Sequence, residues 1–182
     1  MKLRIDSRHF RYDDLKKIKE WVYDPEISRN FRFTAHIKDD NDLKRFIKSQ
    51  IKRSNKDNFI NLALFDRSDK NETYIGSVGL KKIDLENKNA ELTIVIGNKD
   101  YRGRGYGQEA LYVICRYGFK NFKLRKIYLH VISHNISAIK AYEKFGFHHE
   151  GIKRDHIFQN NKFYDEIIMG IIVNEFKNKY GK

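Results

Sequence analysis

Apolar positions along the chain recur with two periods, close to 3.6 in some segments and close to 2 in others, and the alternation predicts the elements in order. Residues Lys2 to Ile5 predict a short strand. From Asp13 to Val22, an Asp cap precedes Leu15, Ile18 and Trp21 or Val22 at helical spacing, and Asp24 with Pro25 predicts the stop. Asp39 to Ser54 carries Leu43, Phe46, Ile47 and Ile51 on one face and Lys and Arg on the other, an amphipathic helix. Phe59 to Phe65, Tyr74 to Ile83 and Ala90 to Ile96 read as strands of an antiparallel meander, separated by the polar turns Asp66-Arg67-Ser68-Asp69 and Glu86-Asn87-Lys88-Asn89. After Gly97 a glycine-rich turn leads to a helix from about Gly105 to Phe119, a strand from Lys126 to Ile132, and a helix from Ile136 to Lys144 that Gly146 ends. Two further strands, His149 to Gln159 and Phe163 to Val173, meet at an Asn160-Asn161 hairpin turn. The predicted order β-α-α-β-β-β-α-β-α-β-β makes an α/β (α+β) fold, a mixed sheet with helices on both sides.

With 182 residues, a single proline and no Pro-, Gly- or Ser-rich linker, the chain is expected to form one domain, 1–182. Thirteen Phe and eleven Tyr exclude a disordered polyelectrolyte, although the formal charge is +13. That charge is heavier in the second half and favours anionic partners: nucleic acid, anionic membrane or phosphate-bearing small molecules. The lone Cys115 allows no internal disulfide, no His/Cys spacing suggests a metal site, and no apolar run reaches the ~20 residues of a membrane span. The expected location is the cytoplasm, with no membrane partner.

Chemistry concentrates where the strand Ile94-Val95-Ile96 runs through Gly97 to Tyr101 into Arg102-Gly103-Arg104-Gly105-Tyr106-Gly107 at a helix N-terminus. Unpaired amides of a first helical turn, with glycines that keep Cβ atoms away, suit a pyrophosphate, and two arginines add charge. The loop lacks the Gly-Lys-Ser/Thr ending of a P-loop. It also misses the dinucleotide fingerprint, with Gln108 where glycine is needed and Phe122-Lys123-Leu124-Arg125 where an acidic ribose ligand belongs.

Arg102 to Gly107 resembles the Arg/Gln-x-x-Gly-x-Gly/Ala pyrophosphate loop of the GCN5-related N-acetyltransferase (GNAT) superfamily. The run from Asn135 to Phe147, with Asn135, Ala138, Tyr142, Gly146 and Phe147, resembles that superfamily's second signature, Asn-x-x-Ala-x-x-x-Tyr-x-x-x-Gly-Phe. Leu3-Arg4, Trp21-x-x-Asp24-Pro25-Glu26 and Phe147-His148-His149-Glu150-Gly151 place the likeness near the RimJ/RimL-type, spermidine and amino-sugar acetyltransferases. The resemblance implies the GNAT fold, a mixed and mostly antiparallel sheet of six or seven strands with helices on both faces, and acetyl-CoA as cofactor.

The resemblance implies roles for single residues. Amides from Arg102 to Gly107 would hold the pyrophosphate. Leu92 to Ile96, including Ile94, Val95 and Ile96, would pair with the pantetheine arm and donate to the thioester oxygen. Asn135, with Ala138 beside it in the motif, would bind the same arm, although an Asn here also suits a helix cap. Tyr142, two turns on, would be the general acid for the leaving thiolate; otherwise it is a core aromatic. Glu91 would be the general base if burial raises its pKa; otherwise it is a solvated cross-strand partner.

The acceptor pocket is expected from Arg29, Phe31, Arg32, Phe33, Arg154, Asp155 and Tyr164, with Arg29, Phe31, Phe33 and Tyr164 as substrate contacts. Cations and aromatics outnumber acids there, which points to a small-molecule primary amine of neutral or anionic type, an amino-sugar nucleotide first. A polyamine of the spermidine type or a protein N-terminus is the alternative acceptor, and a non-catalytic acetyl-CoA-binding domain the alternative to an enzyme. A basic nucleic-acid module would rest on Lys44 to Lys56 alone and is not favoured. A homodimer through edge strands is left open.

Overall fold

In the computed structural model, residues 3–28, 30, 37, 39–53, 58–69 and 72–181 are described. The elements are β1 (Ile5–His9), α1 (Asp14–Val22), α2 (Pro25–Ser28), α3 (Asp40–Arg53), β2 (Phe59–Asp66), β3 (Tyr74–Asp84), β4 (Asn89–Ile96), α4 (Tyr106–Asn121), β5 (Lys126–Ile132), α5 (Ile136–Phe145), β6 (His148–Gln159), β7 (Lys162–Ile172) and α6 (Val173–Tyr180), with a 3-10 turn at Lys99–Tyr101. The strands form a seven-stranded sheet in the order β1-β2-β3-β4-β5-β7-β6. β1·β2, β5·β7 and β6·β7 are antiparallel and β4·β5 is parallel, so the expected mixed, mostly antiparallel sheet is present.

Contacts gather the chain into two compact units, 1–79 with 94–110 and 80–93 with 111–182. In the first, Ile18 and Val22 of α1, Leu43 and Ile47 of α3, Ala63 and Phe65 of β2 and Val95 of β4 close one apolar core. Leu43 and Ile47 are one helical turn apart, as the amphipathic pattern predicts. Asp14 is buried, and its carboxylate accepts from Arg8 Nη1 and Nη2 and from the Arg11 amide, which caps the start of α1. Gly76 has a steric reason: a Cβ there would lie 2.0 Å from the Val95 carbonyl oxygen. Just beyond, the Gly97 and Asn98 amides both donate to the Ile75 carbonyl, at 2.9 and 3.1 Å. Two residues thus face one, a β-bulge that turns the chain out of β4.

In the second unit, Ile127, Leu129 and Val131 of β5 bury one face, and Ile114 and Cys115 of α4 are buried as well. Asn160 and Asn161 (φ 51° and 56°) make the hairpin turn that the Asn-Asn pair predicts. The main departure from expectation is the tail. The predicted strand to Val173 stops at Ile172, and α6 follows, started by a hydrogen bond from the Ile172 amide to Glu175 (2.8 Å). Phe176 and Tyr180, four residues apart, share its inner face, and Tyr180 stacks on Phe145 at 4.9 Å. At the other end, β1 begins at Ile5 and runs to His9, in place of the predicted Lys2 to Ile5, because its ladder with β2 pairs Ile5 through His9.

Gly76→Ala should destabilise the protein by about 1–3 kcal/mol, because the obstacle is backbone and cannot rotate away; the denaturant midpoint measures it.

Candidate active site

The pyrophosphate loop sits entirely in the first unit. Gly103 and Gly105 have φ of 70° and 88°, a region that glycine enters freely. Gly105 ends the loop, its carbonyl accepting from the Gln108 and Glu109 amides. Among the described residues, no acceptor meets the amides of Gly103, Arg104, Gly105, Tyr106 or Gly107. A Cβ at Gly103 would meet nothing within 4 Å, so the approach is open. Five free amides at the positive end of a 16-residue helix fit an anion, and the residues present fit the pyrophosphate of coenzyme A.

Arg102 departs from the expected role. Its amide donates to the Lys99 carbonyl, and its guanidinium to the carbonyls of Ile96 (3.1 Å) and Gly97 (2.7 Å), with Asp24 at 3.5 Å. It braces the loop, and the cradle begins at Gly103. Arg104 is exposed.

A residue pair that sequence reading missed holds the loop from the other side. Arg4 donates from its backbone amide and Nε to the buried Glu109, at 2.7 and 2.5 Å, and from Nη2 to the Arg104 carbonyl at 2.9 Å. Its guanidinium also lies 4.1 Å from the centre of the Tyr106 ring. The only signal was a carboxylate in the first turn of α4, which the dipole alone would explain.

β4 leads into this loop. Val95 is buried and Ile94 and Ile96 are half-buried. The ladder between β4 and β5 has three pairs, Asn89↔Lys126, Ala90↔Ile127 and Glu91↔Tyr128. The next residues, Leu92 and Thr93, have no partner on β5. Such an edge offers backbone groups to an extended ligand.

The second signature lies in the second unit. Asn135 caps α5: its Oδ1 accepts from the Ala138 amide (3.3 Å) and from Ser137 Oγ (3.1 Å). The cap is therefore formed, the Ala138 amide is taken by it, and the Asn135 amide nitrogen retains its donors. Tyr142 is half-buried, edge-on to Phe147 at 5.9 Å. No described residue hydrogen-bonds to its hydroxyl, and burial pushes the phenol up. It therefore carries its proton at neutral pH, as an acid must.

Glu91 does not meet the condition set for a base. Burial pushes its carboxyl up, but Lys81 and Lys82, at 2.8 and 2.9 Å, outweigh this and hold it below the ordinary carboxylate range. A second carboxylate stands on the same face of the sheet. Register places Glu91, Tyr128, His130, Ile132 and Glu166 on one side. Glu166 is buried and receives His130 Nδ1 (3.1 Å) and Lys153 Nζ (3.0 Å), with His156 Nε2 at 3.6 Å. Of the acceptor contacts, Arg29, Phe31 and Phe33, with Arg32, lie outside the described residues. Tyr164 is half-buried on β7, edge-on to His134 at 4.5 Å.

A family model described as an acetyltransferase (GNAT) domain matches residues 4–148. The chain belongs to the GNAT acetyltransferase family. It is an acetyl-CoA-dependent N-acetyltransferase, an acyltransferase enzyme. This acetyltransferase is 29% identical over 159 residues to the prophage-derived N-acetyltransferase YokL of Bacillus subtilis, covering 87% of this chain and 85% of that one. It is 32% identical over 111 residues to a spermidine N(1)-acetyltransferase of Vibrio cholerae, covering 61% of this chain and 64% of the relative. The crystal structure of a Vibrio cholerae spermidine N-acetyltransferase in complex with CoA and spermine superposes with a TM-score of 0.82, at 24% identity over 95% of this chain and 98% of that one, which shows the shared fold.

Glu109→Gln should weaken coenzyme A binding about tenfold, the worth of one charge-assisted hydrogen bond, by loosening Arg4 from the cradle; calorimetry reads the Kd. Because the folded pKa of Glu91 is lowered, its pairing contributes stability above the ordinary carboxylate pKa of about 4.3 and loses it as pH falls through the lower folded value. Glu91→Gln should thus lower the urea midpoint at neutral pH and flatten its fall on acidification.

Proposed function

We propose that this acetyltransferase moves the acetyl group to the primary amine of a neutral or anionic small molecule, an amino-sugar nucleotide before others. The observation that carries the reading is the state of the buried carboxylates. Among the described residues, Asp14, Glu91, Glu109 and Glu166 are buried, and each already faces a cation: Arg8, Lys81 with Lys82, Arg4, and Lys153. A polyamine loses hydration at several ammonium groups on binding and needs carboxylates that are not yet neutralised. The formal charge of +13 acts in the same direction.

A polyamine acceptor is the second reading, favoured by the Vibrio cholerae relative, which is named a spermidine N(1)-acetyltransferase.

In either case the chain's groups have the same tasks. The amides from Gly103 to Gly107 hold the pyrophosphate. Backbone groups at Leu92 and Thr93 pair with the pantetheine arm and orient the thioester carbonyl. Acetyl-CoA, when bound, supplies the activated acyl carbon. The Tyr142 hydroxyl gives its proton to the departing sulfur.

Incubation with labelled acetyl-CoA and a pool of amino-sugar nucleotides, polyamines and short peptides, with products resolved by mass, tests the acceptor. Label on a sugar nucleotide is expected, and label on spermidine alone would overturn the charge argument. Tyr142→Phe should lower kcat by about 10²–10⁴ with the acetyl-CoA Kd unchanged.

A further inference from the structure

The acetyl acceptor must lose a proton before its nitrogen can attack, and the carboxylate expected to take it is committed to Lys81 and Lys82. The same face of the sheet carries a better-suited group. His130 is on β5, with Tyr128 two residues before it and 5.8 Å away between ring centres. Its Nδ1 lies 3.1 Å from Glu166 Oε2. The Glu166 carboxylate is buried, yet Lys153 and His130 hold its carboxyl below the ordinary range against burial, so it is ionised at neutral pH and can only accept. The Nδ1 position must therefore donate. That leaves the Nε2 lone pair as the basic site of the neutral ring, and no described residue hydrogen-bonds to it.

The surroundings are built to keep Glu166 in place. β6 and β7 are in register at Lys153↔Glu166 and again at Ile157↔Tyr164, so three residues of β6 face Asp165 alone. The bulge is held by the Asp155 amide, which donates to Asp165 Oδ1 at 2.9 Å, with Asp155 itself at φ 47°. It brings His156 to the same carboxylate oxygen that Lys153 reaches. Bulges that re-aim side chains are common beside active sites. The groups bearing on the His130 charge are thus Tyr128 on β5, Glu166 on β7, Lys153 and His156 on β6, and Lys82, which is influenced by both Tyr128 and Glu166.

We propose that His130 is the general base of this acetyltransferase, with Glu166 as the residue that positions it and sets its tautomer. The proposal rests on the reading that the acceptor is an amine. In the step, an N–H bond of the acceptor ammonium breaks and its electron pair stays on nitrogen as the nucleophilic lone pair. The proton bonds to Nε2, and the imidazolium formed, stabilised by Glu166, returns it to water after transfer, while the second N–H proton that the attacking nitrogen sheds as the amide forms restores the Tyr142 hydroxyl that protonated the sulfur. The dyad thus uses a carboxylate to orient an imidazole, while Glu91 remains an ion-pair partner of β3.

Two measurements test this. In ¹⁵N-histidine-labelled free enzyme, with His130 assigned by its loss in His130→Gln, the neutral ring should show protonated Nδ1 and unprotonated Nε2, and Glu166→Gln should abolish that preference. This readout needs neither acceptor nor acetyl-CoA, so it stands apart from any failure of the acceptor reading. In turnover, His130→Gln should lower kcat by about 10²–10⁴ and remove the acid limb of its pH profile, with the acetyl-CoA Kd unchanged. Glu166→Gln should lower kcat as well, with the acetyl-CoA Kd unchanged, because the imidazole loses the partner that fixes its tautomer. His130→Asn, smaller and polar, repeats the test should the Gln variant misfold. A protonated Nε2 in the free enzyme, or wild-type kcat with an intact acid limb in a folded His130 variant, would overturn the proposal.

Discussion

Five backbone amides that meet no acceptor among the described residues are the constraint from which much of the first unit follows. Unsatisfied amides are stable where water or a ligand can reach them, so Gly103 and Gly105 must keep side chains away and adopt φ values that other residues resist. The loop then needs support from outside its own backbone. Arg102 fastens it to the end of β4 through the carbonyls of Ile96 and Gly97, and Arg4 fastens the Arg104 carbonyl while pairing with Glu109. Both guanidiniums are spent on holding a shape, which leaves the positive end of α4 as the feature that suits an anion.

Charge pairing organises the second unit in a comparable way. Two buried carboxylates stand on one face of the sheet, Glu91 and Glu166, and they differ in what surrounds them. Glu91 faces two ammonium groups from adjacent positions of β3, which hold its carboxyl below the ordinary range against burial. Glu166 faces the imidazoles of His130 and His156 as well as the Lys153 ammonium. The same residue type thus meets only ammonium groups in one place and histidines as well in the other.

Much of the fold was legible because it depends on local pattern. β5 begins and ends where β-branched and aromatic enrichment placed it, α3 follows its apolar stripe to within a residue, and the Asn160-Asn161 hairpin obeys turn chemistry. α6 was not legible: eight residues with two aromatic contacts carry little periodic signal, and the helix is secured by stacking on Phe145. Of the two readings of Asn135, the cap was legible and is formed, through Oδ1 and the Ala138 amide.

The sequence by itself determined the order of the strands and of the longer helices, the glycine turn before α4 and the Asn135 to Phe147 signature, because caps, glycine turns and apolar periods act over a few residues. The tertiary structure decided which charged groups neutralise one another. Arg4 meets Glu109 across 105 positions, and His130 meets Glu166 across 36. Strand register and a bulge on β6 bring such partners together, and neither register nor a bulge is encoded at the positions that use it. The pKa of a carboxylate depends on those distant partners, so Glu91 as a base was a question that only the folded chain could answer.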